Sequence, residues 1–152
     1  MIFESMIPCH IPSGVAVIKE HHFDYASIRV RNDGIVQINS QEDVLFGLQE
    51  SLLVHSKVNE LNENKPMLIL HVPGKHTNID DETRKFLSSE KGVKNRLAFA
   101  FVLQSLGQKL VANFFLKVNK PKIPTRFFTS QHEAEKWLLS VKARLKHKKI
   151  TA

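Results

Sequence analysis

The segment that most constrains the fold is the apolar stretch over residues 96–118, RLAFAFVLQSLGQKLVANFFLKV. Residues 97–103 form a continuous apolar run of strand length, which is typical of a strand covered on both faces, as in parallel sheets. Ser105 and Gln108 then have the spacing of a capping box, which predicts that a helix begins there. We therefore expect a strand, a tight turn and a helix to form the centre of the domain.

The helix predicted after Ser105 has apolar residues at helical spacing, so we expect them to form one buried face. These residues are Leu106, Leu110, Val111, Phe114, Phe115 and Val118. Where the helix packs back on its strand, four side chains should be buried together: Phe99, Phe101, Leu110 and Phe114. A membrane-spanning helix is disfavoured because polar side chains recur through the stretch, and each is costly in hydrocarbon.

The length and the cysteine content of the chain indicate a single domain without disulfides. A chain of 152 residues can bury one core of its own. Cys9 is the one cysteine, so no intrachain disulfide can form. The first residues lack the basic and long apolar regions of a secretion signal, and we therefore expect a cytoplasmic protein. We divide it into a loosely attached arm at 1–22, a folded domain at 23–145 and a basic tail at 146–152.

The net charge of +7 is unevenly distributed along the chain. Residues 1–90 carry 8 Lys and Arg against 13 Asp and Glu, whereas residues 91–152 carry 14 against 2. The basic half indicates either an anionic partner or a solubilising surface. For an anionic partner we expect weak, salt-sensitive binding and no specific recognition of nucleic acid. The last helix is expected to contribute Lys142, Arg144, Lys146, Lys148 and Lys149 to this charge.

A basic patch is also predicted just before the last helix. Its candidate residues are Lys109, Lys117, Lys120, Lys122 and Arg126. A solvated helix face explains the same spacing equally well.

Periodicity along the rest of the chain predicts alternating strands and helices. Residues 25–38 alternate around an Asn-Asp-Gly turn, the pattern of a β-hairpin. Ser40 and Asp43 predict a helix start, and residues 67–72, MLILHV, form a second apolar strand. A helix over 79–87, a strand over 125–128 and a final helix after Ser130 complete the chain.

This order of elements, β-β-α-β-α-β-α-β-α, predicts an α/β fold. We expect a single mixed, mainly parallel sheet with packed helices. Residues 15–18 could add an edge strand to it.

The sequence carries no recognisable catalytic, metal-binding or nucleotide-binding motif. Its six glycines form neither G-x-G-x-x-G nor a P-loop, and no G-x-S-x-G elbow occurs. The eight histidines lack the spacing of metal ligands. We therefore expect no enzymatic activity, no metal and no cofactor. His71 ends an apolar strand, where open α/β sheets bind ligands, but a hydrogen-bonded structural histidine is the favoured interpretation.

Several segments over residues 23–142 resemble the STAS fold in its SpoIIAA-like branch, the group around bacterial anti-sigma-factor antagonists. They are RVRNDGIVQI, MLILHV followed by TNIDDETRKFL, NRLAFAFVLQSLGQKLVANFFLKVNKP, and RFFTSQHEAEKWL. In phosphorylated members of that group, the loop after the third strand carries an Asp-Ser-Ser-Gly type element whose serine a partner kinase modifies. The matching place here reads Asp80-Asp81-Glu82-Thr83, so the serine is missing, and Thr77 and Thr83 are the nearby hydroxyls.

The resemblance implies a non-enzymatic regulatory domain that binds a protein partner at this loop and helix start. The candidate binding residues are His71, Lys75, His76, Thr77, Asn78, Asp80, Asp81 and Thr83. A homodimer is also compatible with the sequence. The alternative functions are a carrier of an anionic or amphipathic small molecule, such as a nucleotide or lipid, and a small enzyme.

Overall fold

The computed structural model describes residues 9–151, with side chains described for residues 9–148. The central sheet has six strands: β1 (Val17–His22), β2 (Ala26–Arg31), β3 (Ile35–Ser40), β5 (Met67–Val72), β7 (Arg96–Val102) and β8 (Thr125–Phe128). Two short strands, β4 (Leu45–Phe46) and β6 (Asn78–Ile79), pair separately. The helices are α1 (Leu48–Leu61), α2 (Asp81–Ser88), α3 (Glu90–Val93), α4 (Leu106–Phe114) and α5 (Gln131–Thr151). A π-helical turn over Phe115–Asn119 continues α4.

The central sheet is mixed, with strands in the spatial order β1-β2-β3-β5-β7-β8. β1 pairs antiparallel with β2, and β2 pairs antiparallel with β3, whereas β3, β5, β7 and β8 run parallel. The predicted hairpin is confirmed: β2 and β3 pair across a turn in which Gly34 has a φ of 91°, a conformation that costs glycine little. The predicted α/β class, with a mixed central sheet and packed helices, is also confirmed, although β4 and β6 form a second, two-stranded sheet and the order of elements differs from the predicted one.

Both faces of the sheet are covered by helices, which explains the unbroken apolar runs of β5 and β7. On one face, α5 packs Ala134, Leu138 and Val141 against Leu68, Leu70, Ala98 and Ala100. On the other face, α1 packs Val54 and Val58 against side chains that include Ile28, Ile38, Ile69 and Phe99. Phe115, where α4 enters the π turn, also lies over that face, with its ring centroid 6.4 Å from that of Phe101.

A buried ion-pair network joins α5 to the hairpin. The guanidinium of Arg31 on β2 donates hydrogen bonds to the carboxylate of Glu135 on α5 and to Gln37 Oε1, the latter at 3.0 Å. Arg31 Nη2 also lies 2.6 Å from Asp33 Oδ2. All three acceptors surround one buried cation, so its charge is compensated within the fold.

The helix predicted to start at Ser40 begins later, at Leu48. Ser40 ends β3, and its hydroxyl lies 3.3 Å from His71 Nε2 instead of capping a helix. Asp43 adopts a φ of 55°, and its backbone N–H donates to Lys75 O at 3.1 Å. The predicted capping box is wrong because this segment pairs with the loop after β5, through β4 and β6.

The buried face predicted for α4 is only partly correct, because Phe115 is buried as predicted but Leu110 and Phe114 are not. Leu110 is 64% exposed and Phe114 is 47% exposed, whereas Gln108, Ala112 and Phe115 face inward. Gln108 Nε2 donates to the carbonyl oxygens of Gly74 at 2.9 Å and Thr77 at 3.0 Å. Buried carbonyl groups without partners would be costly, so this amide holds α4 rotated with its polar residue inside.

Both segments predicted to flank the domain contain regular secondary structure among their described residues. The predicted arm contributes β1, an exposed edge strand that pairs with β2. The backbone of α5 remains helical to Thr151, through most of the predicted basic tail. Residues 1–8 and the side chain of Lys149 lie outside the described residues. Among the described helices, none combines the length and apolar character needed to cross a membrane.

Candidate functional site

The loop and helix start predicted as the binding site lie at the carboxyl ends of the parallel strands, between β5 and α2. Asp80 caps α2, and its carboxylate accepts a hydrogen bond from the backbone N–H of Thr83 at 2.8 Å. Hydrogen bonds from the Thr83 side chain and backbone lower the pKa of Asp80. This carboxylate is therefore ionised at neutral pH and used to begin the helix.

Asp81 presents a second negative charge at the surface. Its carboxylate lies 2.9 Å from Lys85 Nζ and 3.4 Å from Arg84 Nη2, both on the same helix. The hydrogen bond from Lys85 is the first cause of a lowered pKa of Asp81. The side chain remains half exposed. Asp81 thus keeps a permanent charge that a partner can still reach.

The two hydroxyls near this helix start are buried. The Thr83 hydroxyl donates to Phe46 O at 3.4 Å, and the Thr77 hydroxyl donates to Gln41 O. Both residues are almost completely shielded from solvent. In this conformation neither hydroxyl is accessible to a modifying enzyme, and both instead connect the loop to the segment around β4.

His71 lies inside the core and not at the rim of the site. Burial lowers its pKa to about 4, so the imidazole is neutral at pH 7. Its Nε2 contacts Ser40 Oγ, and its ring packs between Phe46 and Phe101, with centroid distances of 5.9 and 5.6 Å. The surroundings are those of a hydrogen-bonded structural histidine.

The exposed part of the predicted site is smaller than the sequence indicates. Lys75, His76, Asn78 and Asp81 reach solvent, and His76 Nδ1 lies 3.1 Å from Asp43 Oδ1. The structure therefore divides the predicted residues into these four accessible ones, a buried set formed by His71, Thr77 and Thr83, and the partly exposed Asp80, which caps α2.

A stripe of exposed apolar side chains borders this accessible set, and the sequence interpretation had placed it in the core. The α4 stripe consists of Leu106, Leu110 and Phe114, which are 74%, 64% and 47% exposed. The guanidinium carbon of Arg84 on α2 lies 5.3 Å from the ring centroid of Phe114. The side chain of Gln108 ties the start of α4 to the loop. The Phe114 end of the stripe therefore lies against α2, which also carries the exposed Asp81.

An open groove of about 710 Å³ lies on the other side of α4, against β8. It brings together two residues of the predicted basic patch, Lys109 and Arg126. The guanidinium of Arg126 lies over the rings of Phe128 and Trp137, at 5.2 and 5.7 Å from their centroids. The other predicted members do not line the groove: Lys122 Nζ lies 3.1 Å from Glu90 Oε1, and Lys117 and Lys120 are exposed around the end of the π turn.

Two small cavities lie beneath the helices on the α1 face of the sheet, each of about 50 Å³. They share His71, Ile79 and Phe101 in their walls. One of them is also lined by Ser51 and His55, which follow each other by one turn of α1. No sequence pattern indicated either cavity. The described residues contain no group of three or more His, Cys, Asp or Glu placed to hold a metal ion.

Comparison with known proteins gives one family. The family model described as "Domain of unknown function (DUF7793)" matches residues 28–142, which include the sheet from β2 onwards, the candidate site and the part of α5 that packs on the sheet. No curated protein and no solved structure matches the chain. With most of its length covered by that match, the chain belongs to the DUF7793 family.

Proposed function

We propose that this domain is a non-enzymatic binding module that docks a regulatory protein partner. The docking surface consists of the α4 stripe, the exposed loop over residues 75–78 and the start of α2. The α4 stripe is the observation on which the proposal rests, because three large apolar side chains on successive turns of one helix remain in water. Contiguous exposed apolar patches of this kind mark interaction sites.

Docking on this surface would recover part of the hydrophobic free energy that the folded domain leaves unused. Complete burial of a leucine or phenylalanine side chain contributes roughly 1.5 to 3 kcal/mol. The three residues of the stripe are about half to three quarters exposed, so the remaining gain is of the order of 1 kcal/mol for each. A few such contacts at the centre of an interface typically provide most of its affinity.

The charges beside the stripe define the chemistry of the partner. Asp81 and Glu82 are exposed carboxylates at the start of α2, on the side of the stripe where Arg84 contacts Phe114. A partner that places an apolar helix face on the stripe should therefore carry Lys or Arg where it approaches α2. Under the STAS resemblance, Asp81 would supply a fixed charge where related domains carry a modified serine.

The first test places a photoreactive benzophenone side chain at position 110 in the native cell and, as a control, at position 139. Leu139 is also exposed, but it lies on α5, which covers the opposite face of the sheet. We expect a protein to be crosslinked from position 110 and not from position 139.

The captured protein, once purified, should bind the wild-type chain, and Leu110→Glu should weaken that affinity at least tenfold while Leu139→Glu leaves it unchanged. A charge at position 110 would have to be desolvated in the interface, which is the reason for the loss. Crosslinks between two copies of the chain would identify a homodimer as the occupant. The absence of any specific crosslink from position 110 would contradict the proposal.

A second candidate function is the binding of an anionic amphipathic molecule, and the groove beside β8 favours it. Lys109 and Arg126 provide positive charge there, and Leu116, Phe127 and Phe128 provide apolar surface. Native mass spectrometry of the purified protein should then show a bound mass that Arg126→Gln removes. A ligand-free spectrum, together with no retention of added dodecyl phosphate, would remove this candidate.

A further inference from the structure

The cavity between α1 and the sheet is lined by two residues whose buried polar atoms have no partner in the part of the chain that the structure describes. Ser51 is only 4% exposed, and its Oγ has no hydrogen-bond partner among the described residues. His55 Nε2, one helical turn further along, is likewise buried and without such a partner. Both residues line the same cavity. Buried polar groups are normally satisfied, and two on one cavity wall are an exception that requires an explanation.

The rest of the cavity wall is apolar. Val54, Val58, Ile69 and Phe99 contribute to it, and Arg96 closes one end. Nη1 of Arg96 is already engaged, because it donates to Asn59 Oδ1 and, at 2.9 Å, to Lys94 O. The space thus offers one polar corner, formed by the Ser51 hydroxyl and the His55 ring nitrogen, in an otherwise apolar enclosure.

We propose that this cavity is a binding site for a small neutral molecule with an apolar body and one hydroxyl group. The hydroxyl group would occupy the polar corner, where it donates to one of the two unpaired atoms and accepts from the other. The apolar body would fill the space against Val54, Val58 and Ile69. This site lies inside the domain, and it is independent of the protein-binding surface proposed on α4.

Neutrality of the ligand follows from the charges around the polar corner. Burial and the neighbouring Arg96 lower the pKa of His55 to about 4, although hydrogen bonds to the backbone of Gly92 and Lys91 oppose the shift, so the imidazole is uncharged at pH 7 and keeps one ring lone pair. A cation would meet the positive charge of Arg96 and would find no carboxylate among the lining residues. An anion would have Arg96 as a counter-charge, but at the polar corner it would face the lone pair of the imidazole with no proton to donate, so a neutral hydroxyl group fits this corner better.

The volume limits the size of the molecule. A cavity of about 150 Å³ accommodates benzene, so this cavity of about 50 Å³ corresponds to roughly two non-hydrogen atoms. A ligand of about four such atoms would also have to occupy the neighbouring cavity of about 50 Å³, which shares His71, Ile79 and Phe101 in its wall. Small ligands bind with at most about 1.5 kcal/mol for each such atom, which limits the dissociation constant to tens of micromolar or weaker. Entry would pass between α1 and α2, where His55 and Phe86 are half-buried with ring centroids 5.0 Å apart.

The experiment uses 1-propanol as the probe, with xenon as an apolar probe and propionate and propylammonium as charged probes. Methyl and amide NMR spectra of the full chain are recorded during each titration at pH 7. We expect saturable shifts for 1-propanol at Val54, Val58 and Ile69, and none for the two ions. Xenon should shift the same methyl groups because it needs only the apolar space.

The variant Ser51→Ala removes one unpaired atom and almost no volume. It should weaken 1-propanol binding about threefold to tenfold, the range for one neutral hydrogen bond, and leave xenon binding unchanged. Ser56→Ala, at an exposed position of the same helix, is the matched control and should bind both probes as the wild type does. The same NMR spectra show whether Ser51→Ala and Ser56→Ala are folded as the wild type is.

Two results would overturn the proposal. If 1-propanol gives no saturable shifts, the corner holds only water or remains empty. If 1-propanol binds equally well to the wild type and to Ser51→Ala, the space is an apolar void and the hydroxyl of Ser51 does not recognise a ligand.

Discussion

The buried imidazole of His71 couples the stability of the fold to pH. Its pKa is lowered to about 4 in the folded state, against a usual value of 6.5. Between these two values the unfolded chain binds a proton that the folded chain does not, so acidification favours unfolding. The contribution of His71 to stability is therefore complete above about pH 6.5 and is lost as the pH falls towards 4.

We predict that the free energy of unfolding is about 2 kcal/mol lower at pH 5 than at pH 7 because of His71 alone. Urea unfolding at several pH values measures this dependence. His71→Leu should reduce the slope over that range by the same amount, whatever its effect on stability at pH 7. An unchanged slope in the variant would show that His71 does not remain neutral in the folded protein.

Among the elements, α4 shows how one amide can decide which face of a helix is buried. Two sets of apolar residues share this helix and its π turn: Leu106, Leu110 and Phe114 on one side, and Val111 and Phe115 on the other. Hydrophobic periodicity allows either set to face the sheet. Gln108 lies on the side of the second set and satisfies two loop carbonyls, so that side is inside.

This orientation predicts that alanine substitutions of two neighbouring phenylalanines lower the free energy of unfolding by very different amounts. Phe115→Ala should lower the free energy of unfolding by about 3 to 5 kcal/mol, because it empties a site surrounded by Phe101 and Phe127. Phe114→Ala should cost about 1 kcal/mol or less, since half of its ring is already in water. Denaturant unfolding of both variants tests this, and equal losses would show that the helix is rotated differently.

The same helix marks the limit of what the sequence could predict about the site. The loop, the acidic helix start and the strand before them were located correctly from turn residues and an apolar run. The roles of Gln108 and of the Thr77 and Thr83 hydroxyls could not be predicted, because they depend on carbonyl groups that only the folded loop brings into reach. Consequently the α4 stripe was assigned to the core.

At the level of the whole molecule, the elements that periodicity missed, or located only in part as with β1, are those that carry little apolar signal. β1 contains charged residues such as Lys19 and Glu20 and forms an exposed edge of the sheet, so its alternation does not mark a buried face. β4 and β6 have two residues each and exist through mutual pairing. The strands and helices that form the two cores were predictable because burial imposes a period on their sequences.

The packing of α5 has a consequence for how the chain folds during its synthesis. All the strands of the central sheet precede α5 in the chain, yet α5 covers one whole face of β5 and β7 and supplies the carboxylate of Glu135 to Arg31. While the ribosome is still translating residues 131–141, that face is bare and the Arg31 cation lacks one of its partners. Until α5 has emerged from the ribosome, one face of the nascent sheet therefore remains exposed to solvent. In that interval it can bind chaperones or associate with other chains.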